Sequence, residues 1–481
     1  MRRPALTAIA SVPALLATHG CAVHTPGYDE PLTPPASFLD DASSGAFSAS
    51  TPDGWWRAFE DPELDTLQAR ALGANFDLAT FRDRLDAARA ATVRDRSPLF
   101  PSIDYSVLAE QTRRDANSFQ GEDRFGASLI GSYEFDLWRR NANIAGTATL
   151  REAIAGEQLV AAAISLSADV ALTWYALIEQ RGQLRVLDEQ IETNRDVLRV
   201  VELRFASGVV RASDVLRQER LLESTFEQRA IVVGNIEVLE HALLVLVGRS
   251  PTEDLADARD RLPDVPTRPL LGLPSELLER RPDIRSAMLA IREADAEVGV
   301  AVADRYPSVR LRFEASTRED AVADVFDNWA TLVRVDVLGP LFDAGARSAE
   351  VDRTLAVKSE RINAYAQSVL TAFEQVLNAV TRENASEEQI ARIETQLVLA
   401  QRTSERLNRE YLNGDISYID VLDALTTEQR LQRDLLSARF DRISERINLD
   451  RALAGGWDGI VPGEPIASAS TRTDEPETGT Q

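Results

Sequence analysis

Residues Leu159–Phe205 read LVAAAISLSADVALTWYALIEQRGQLRVLDEQIETNRDVLRVVELRF. Stepping through them alternately by four and three gives Leu166, Val170, Thr173, Leu177, Gln180, Leu184, Leu187, Ile191, Asn194, Leu198, Val201 and Phe205, and nine of these twelve are apolar. The residues between them are mostly Glu, Asp, Arg, Gln and Ala. A hydrophobic repeat of about 3.5 marks a helix that supercoils left-handedly against neighbours. No proline interrupts Arg139 to Ser250, and the one strong break is Ala206-Ser207-Gly208. A helix over Arg139–Arg204 would be roughly 100 Å long at about 1.5 Å per residue. That is about three times the hydrocarbon thickness of a bilayer, and too long for a compact domain. A structural coiled-coil rod would satisfy the period alone. What lies at each end of the helix, and its recurrence, argue against a mere rod.

On its N-terminal side the texture changes. Ile103, Tyr105, Val107 and Ala109 alternate with Asp104, Ser106 and Leu108. Beyond the polar stretch Asp115–Asp123, the residues Phe125, Ala127, Leu129, Gly131, Tyr133, Phe135 and Leu137 share one face. This period of two predicts two strands joined by a surface loop. Ahead of them, Asp61-Pro62 predicts a helix start with Pro at the first position. The helix runs to about Asp95, interrupted near Gly73, and Pro98–Pro101 ends it. Past Gly208 a helix is predicted from Ser213, a candidate N-cap, to Val247. Gly248–Leu273, with Pro251, Pro263, Pro266 and Pro269, reads as a linker.

The pattern then repeats. Asp283-Ile284 follows Asp77-Leu78 by 206 positions, as Gly414 follows Gly208 and Asp420-Val421-Leu422 follows Asp214-Val215-Leu216. Strands recur at Val309–Ala315 and Trp329–Leu338, and a long helix from about Ala344 to Glu410. About 190 residues are thus duplicated as helix–strand–strand–long helix–turn–helix. The expected domains are a signal peptide (1–20), an extended leader (21–54), a first repeat (55–250), a linker (251–272), a second repeat (273–457) and a disordered tail (458–481).

Composition bounds the function. The formal net charge is −24, from 53 basic and 77 acidic residues, which argues against nucleic-acid binding. One Cys and three His leave little material for a metal centre or a Ser-His-Asp arrangement. No cofactor, metal or catalytic residue is expected. Met1-Arg2-Arg3, the apolar run Ala5–Ala17 and the small residues before Cys21 read as an export signal. They look like a bacterial lipoprotein signal with Cys21 as the lipidated residue, although Thr18 stands where a lipobox has Leu. No later segment offers 18 apolar residues in a row, so no transmembrane helix is expected in the mature chain.

Four strands per chain cannot close a barrel, and an open edge is not tolerated in a bilayer. The predicted strands suit a tilted membrane strand of about ten residues. Aromatics near their ends, Tyr105, Phe125, Tyr133, Trp138, Phe313 and Trp329, read as an interfacial girdle. Three copies would close twelve strands. The expected fold is therefore mainly α with a β membrane part, tandem duplicated units whose strands close into a barrel between several chains, with the long helices continuing as a tube. The alternative is a four-stranded sheet packed on helices in water.

Three stretches carry a family resemblance. They are Trp55-Trp56-x-x-Phe59-x-Asp61-Pro62-x-Leu64-x-x-Leu67, Tyr133-Glu134-Phe135-Asp136-Leu137-Trp138-Arg139-Arg140 and Leu273-Pro274-Ser275-Glu276-Leu277-Leu278-Glu279-Arg280-Arg281-Pro282-Asp283-Ile284. They resemble the hallmarks of outer membrane factors, the TolC-type efflux channels, and most closely the NodT-like lipoprotein branch. Arg139-Arg140 departs from the usual Gly-Arg. The resemblance implies a homotrimeric 12-stranded β-barrel in the outer membrane of a Gram-negative bacterium, continuous with a long α-helical coiled-coil periplasmic tunnel. It would be an exit channel of a tripartite efflux or secretion system, and not an enzyme. It would take substrate from an inner-membrane pump of the resistance-nodulation-division type through a periplasmic adaptor, or membrane fusion protein. By the same resemblance the gate is Tyr418–Asp423, with Ile419 as the apolar constriction and Asp423, or alternatively Asp420, as an acidic ring. For each Asp the other reading is a helix-N-terminal residue offsetting the dipole. Arg204, Gly208 and Asp214, with Glu410 and Gly414, are the expected adaptor-contact tips. Two other classes are a periplasmic coiled-coil scaffold without a channel, and an exported hydrolase using paired carboxylates.

Overall fold

The first helix begins where Asp61 can cap it. Asp61 Oδ1 accepts from the N–H of Glu63 and Leu64 at 3.2 and 3.3 Å, with Pro62 in the first turn. This is α1, Pro62–Ala74; α2 is Phe76–Arg96. The break lies at Asn75, not at Gly73. Asn75 is extended and its side-chain oxygen caps the Leu78 N–H at 2.9 Å. A residue that caps the next helix interrupts more strongly than a helical Gly, which costs only about 0.5–1 kcal/mol.

The computed structural model describes residues 23–25, 27, 54–113, 121–254, 261–269, 271 and 274–454. The signal peptide, Cys21, most of the leader and the tail lie outside the described residues. The elements continue as β1 (Ser102–Arg113), β2 (Gly121–Phe135), α3 (Arg140–Ala206), α4 (Ala212–Leu246), α5 (Pro274–Arg280), α6 (Pro282–Ala303), β3 (Ser308–Glu319), β4 (Ala330–Leu338), α7 (Ala346–Asn413) and α8 (Tyr418–Leu453). The duplication is complete in the folded chain, and the 67-residue α3 and 68-residue α7 are its two long helices. Ser213 is not the N-cap of α4. That position is Arg211, whose N–H is taken by the Asp214 carboxylate at 3.3 Å.

The chain divides into two units. The first comprises Met1–Thr33, Asp83–Glu157 and Asp283–Ser368 and contains the whole sheet. Its strands are antiparallel in the order β1-β2-β3-β4. The register puts even-numbered residues beside even-numbered ones throughout: Ser102 faces Ser132, Ser132 faces Arg312, and Arg312 faces Arg334. One face is thus apolar, with rows such as Ile103–Gly131–Phe313–Val333, and the other polar. The polar face is knit by Ser102 Oγ to Ser132 Oγ at 2.8 Å, Ser106 Oγ to Ser128 Oγ at 2.9 Å and Arg310 Nε to Glu134 Oε2 at 2.7 Å. Below the sheet, Arg140 Nε donates to Asp304 Oδ1 at 2.6 Å, and Arg151 joins Glu293 and Glu297 at 2.6 and 2.7 Å.

The second unit comprises Pro34–Arg82, Gln158–Pro282 and Val369–Gln481. Trp55, Trp56, Phe59, Trp174 and Tyr175 are buried in its core, and Trp174 Nε1 donates to Asp61 Oδ2 at 2.9 Å. The Trp-Trp and Asp-Pro stretch is therefore a packing signature. The linker is held at Pro266 and Arg268: Arg268 Nε donates to the buried Glu383 at 3.0 Å, and Arg446 reaches both Glu383 and the Pro266 carbonyl. Against the expectation of none, one window of α3 is apolar enough by length and composition to cross a membrane, but 61% of it is buried in the protein. Its apolarity is that of a packed helix.

Candidate functional site at the paired helix turns

The long helices α3 and α7 end in the same way. Gly208 has φ +73° and Gly414 φ +86°, conformations that a side chain resists. Val209 N–H closes back on the Arg204 carbonyl at 2.9 Å, and Asp415 N–H on the Glu410 carbonyl at 3.0 Å. These six-to-one bonds are Schellman caps. They reverse the chain into α4 and α8.

The structure brings the two turns together. The Arg204 guanidinium lies 4.4 Å from the Tyr411 ring centroid and donates from Nη1 to the Leu412 carbonyl at 3.3 Å. Tyr411 packs on Tyr418 with ring centroids 5.6 Å apart. Tyr418 Oη donates to Gln218 Oε1 at 2.5 Å. Val201, Tyr411, Tyr418, Val421 and Leu422 form one buried cluster. Burial pushes both tyrosines above the ordinary phenol range, helped at Tyr418 by Tyr411 and Asp214 and opposed at Tyr411 by Arg204. Both stay neutral hydrogen-bonding groups at physiological pH.

Because Tyr418, Val421 and Leu422 turn inward, Ile419, Asp420 and Asp423 turn outward. Ile419 is 52% exposed, and Asp423 is one turn further along the same face. Asp420 differs from Asp423: its carboxylate accepts from Ser417 Oγ at 2.7 Å in the first turn of α8, the position that offsets a helix dipole. Asp214 pairs with Arg217 at 2.8 Å and Glu410 with Arg406 at 2.8 Å.

Asn194 positions this helix, which the sequence reading left as a polar gap in the apolar repeat. Fully buried, it accepts from Gln429 of α8 at 2.9 Å at its side-chain oxygen, donates to Thr225 of α4 at 3.1 Å, and receives Gln218 at its carbonyl at 2.8 Å. A satisfied polar residue in an apolar seam fixes register. The polar member of a 3.5 repeat was the available signal; Tyr411 and Gln218 gave none.

In the sheet, the six aromatics separate by row. Tyr133 and Trp138 lie at the lower end, with Trp138 Nε1 donating to the Pro307 carbonyl at 2.8 Å. Phe125 and Trp329 lie at the upper end. Tyr105 and Phe313 fall in middle rows instead of at strand ends.

Comparison with known proteins is consistent with this geometry. A family profile described as outer membrane efflux protein matches residues 67–249 and 273–455, one segment per repeat. The chain is 30% identical over 432 residues to the pyoverdine export outer membrane protein OpmQ of Pseudomonas aeruginosa, covering 86% of this chain and 90% of that one. It is 29% identical to the toluene efflux pump outer membrane protein TtgF of Pseudomonas putida, covering 84% and 86%. The solved structure of the outer-membrane channel OprN superposes with a TM-score of 0.82 at 25% identity, covering 91% of this chain and all of that one.

Proposed function

The chain belongs to the outer membrane efflux protein family, and from that premise we propose that it is the exit duct of a tripartite efflux system, gated by the first turn of α8. The observation that carries the duct is the two-faced sheet with two open edges. Its apolar face is solvent-exposed in the single chain, Tyr105 by 84% and Val107 by 78%, and among the described residues β1 and β4 each keep one unpaired side. Lipid on the apolar face and further copies on the edges satisfy both at once. Three copies give twelve strands, with the charged face toward a water-filled lumen.

A duct needs no bond chemistry, and this protein is not an enzyme. In a trimer three Ile419 side chains narrow the pore and three Asp423 carboxylates ring it, drawing cations and repelling anions. The Gly208 and Gly414 turns offer the adaptor a helical-hairpin surface, with Arg204, Asp214 and Glu410 at its edge. Cys21, lipidated, anchors the leader in the outer membrane. The relatives are named for pyoverdine export and toluene efflux, so cargo is set by the pump more than by the duct.

Heat-modifiable gel migration tests the barrel. The unboiled wild type runs as a trimer. Val333→Arg, in a middle row of the apolar face, costs about 2–4 kcal/mol at the bilayer midplane and depletes that band, whereas Arg334→Ser on the polar face keeps it. Equal trimer in both variants would refute the assignment of faces.

A further inference from the structure

Lys358 is the only lysine in the chain, and it does not face solvent. Its ammonium, on α7, meets Asp295 Oδ1 of α6 at 2.7 Å, with the two side chains 14% and 8% exposed. The same oxygen meets His24 Nε2 at 3.1 Å. The ammonium also donates to the Gly27 carbonyl. His24 and Gly27 belong to the N-terminal leader. A second observation concerns fit. Gly299, one turn along α6 from Asp295, is closely covered: a Cβ would stand 2.4 Å from Asn143 Nδ2 of α3, which would have to move aside, and 3.4 Å from His24 Cδ2. The helix surface is thus covered by α3 and by the leader's His24, and the shielded carboxylate there is paired, as a buried charge must be.

We propose that Lys358, Asp295 and His24 form a clamp that fastens the leader to the helices below the sheet and so holds the lipidated Cys21 against the inner leaflet of the outer membrane. The inference rests on the lipid-anchored duct proposed above. Asp295 lies eight residues before the end of α6, about 12 Å at 1.5 Å per residue. From there Asp304–Pro307 leads into β3, where the apolar face begins at Val309. Two residues separate Cys21 from His24, three Cα steps that span at most about 11 Å. The acyl chains therefore start within reach of the base of the sheet, and the clamp relieves the lipid of fixing the leader alone.

The sole lysine supplies the test. Acylation of Cys21 blocks its amine, which leaves Lys358 as the one primary amine of the mature chain. Outer membranes holding the full-length protein are treated with sulfo-N-hydroxysuccinimidyl acetate, and acetylation of the Lys358 peptide is followed by mass spectrometry. Wild type is expected to react slowly. His24→Ala, which leaves the lysine–aspartate pair and the helices untouched, should speed acetylation at least about tenfold, as loss of one charge-assisted contact allows. His24→Gln, still a donor to Asp295, should restore slow labelling. Equal rates in wild type and His24→Ala would overturn the clamp. A free Cys21 thiol, alkylated by iodoacetamide, would refute the lipid anchor instead, and faster Lys358 labelling in His24→Ala than in wild type beside it would still uphold the clamp.

Discussion

Arg139 stands in the left-handed region, with φ +60°, immediately before α3. There the Asp136 carboxylate receives the Asn141 and Ala142 N–H groups at 3.0 and 2.8 Å. The tight entry into a capped helix suits glycine, the residue usual at this place in the resembling motif, and nothing in the structure explains the Arg here. Arg139→Gly is expected to stabilise the protein by about 0.5–1 kcal/mol, the relief of left-handed backbone offset by a freer unfolded chain. A rise in the thermal dissociation midpoint of the trimer checks it. Asp450, 6% exposed on α8, behaves differently. Burial pushes its carboxyl up to about 7; Arg446 opposes the shift and Glu383 adds to it. With the folded pKa above the unfolded one, the folded state holds the extra proton. The stability this confers is complete below about pH 4 and is lost as pH rises through about 7. Asp450→Asn should therefore flatten the fall in denaturant stability between about pH 4 and 7, by on the order of 2–4 kcal/mol at most. An unchanged pH slope would show that Asp450 does not carry it.

At the scale of elements, the turns after α3 and α7 are the parts that reversal of a long helix demands. A Cβ at Gly414 meets no atom within 4 Å, so Gly414→Ala is penalised by backbone conformation alone, at about 1–2 kcal/mol. Hydrogen exchange should quicken locally over Tyr411–Asp423 while α3 stays protected; exchange unchanged at the turn would contradict the account. Most elements were legible in the sequence because period and punctuation agree there. Alternation marks both strand pairs, the 3.5 repeat marks α3, and the 206-residue offset carries each assignment into the second repeat. Capping was less legible. Asn75 and Arg211, not Gly73 and Ser213, mark their boundaries, because a cap depends on which side chain reaches a free N–H in three dimensions. Nor could the sequence show Arg204 reaching Tyr411 across two hundred residues. The pairing of the turns arises only when both repeats pack together. The strand-end aromatics were half legible: alternation fixes their face, while register fixes their depth, and it puts Tyr105 and Phe313 mid-strand.

At the scale of the whole molecule, charge is unevenly distributed. The chain is −24 overall, yet the polar face of the sheet sets Arg310 against Glu134, and Arg312 and Arg334 beside Glu314 and Asp336 at 3.3 and 3.0 Å. A charge-balanced sheet lumen selects weakly between ions, so in the proposed duct selectivity is expected from the Ile419 and Asp423 face of α8. The register bonds from Asn194 to Gln429 and from Tyr418 to Gln218 hold that face in place. The most direct test is planar-bilayer conductance of the purified trimer, compared with the variant carrying both Ile419→Ala and Asp423→Ala. The account predicts a small, cation-selective conductance in the wild type that rises and loses its selectivity in the variant. An inserted trimer that conducts no current in either form would contradict it.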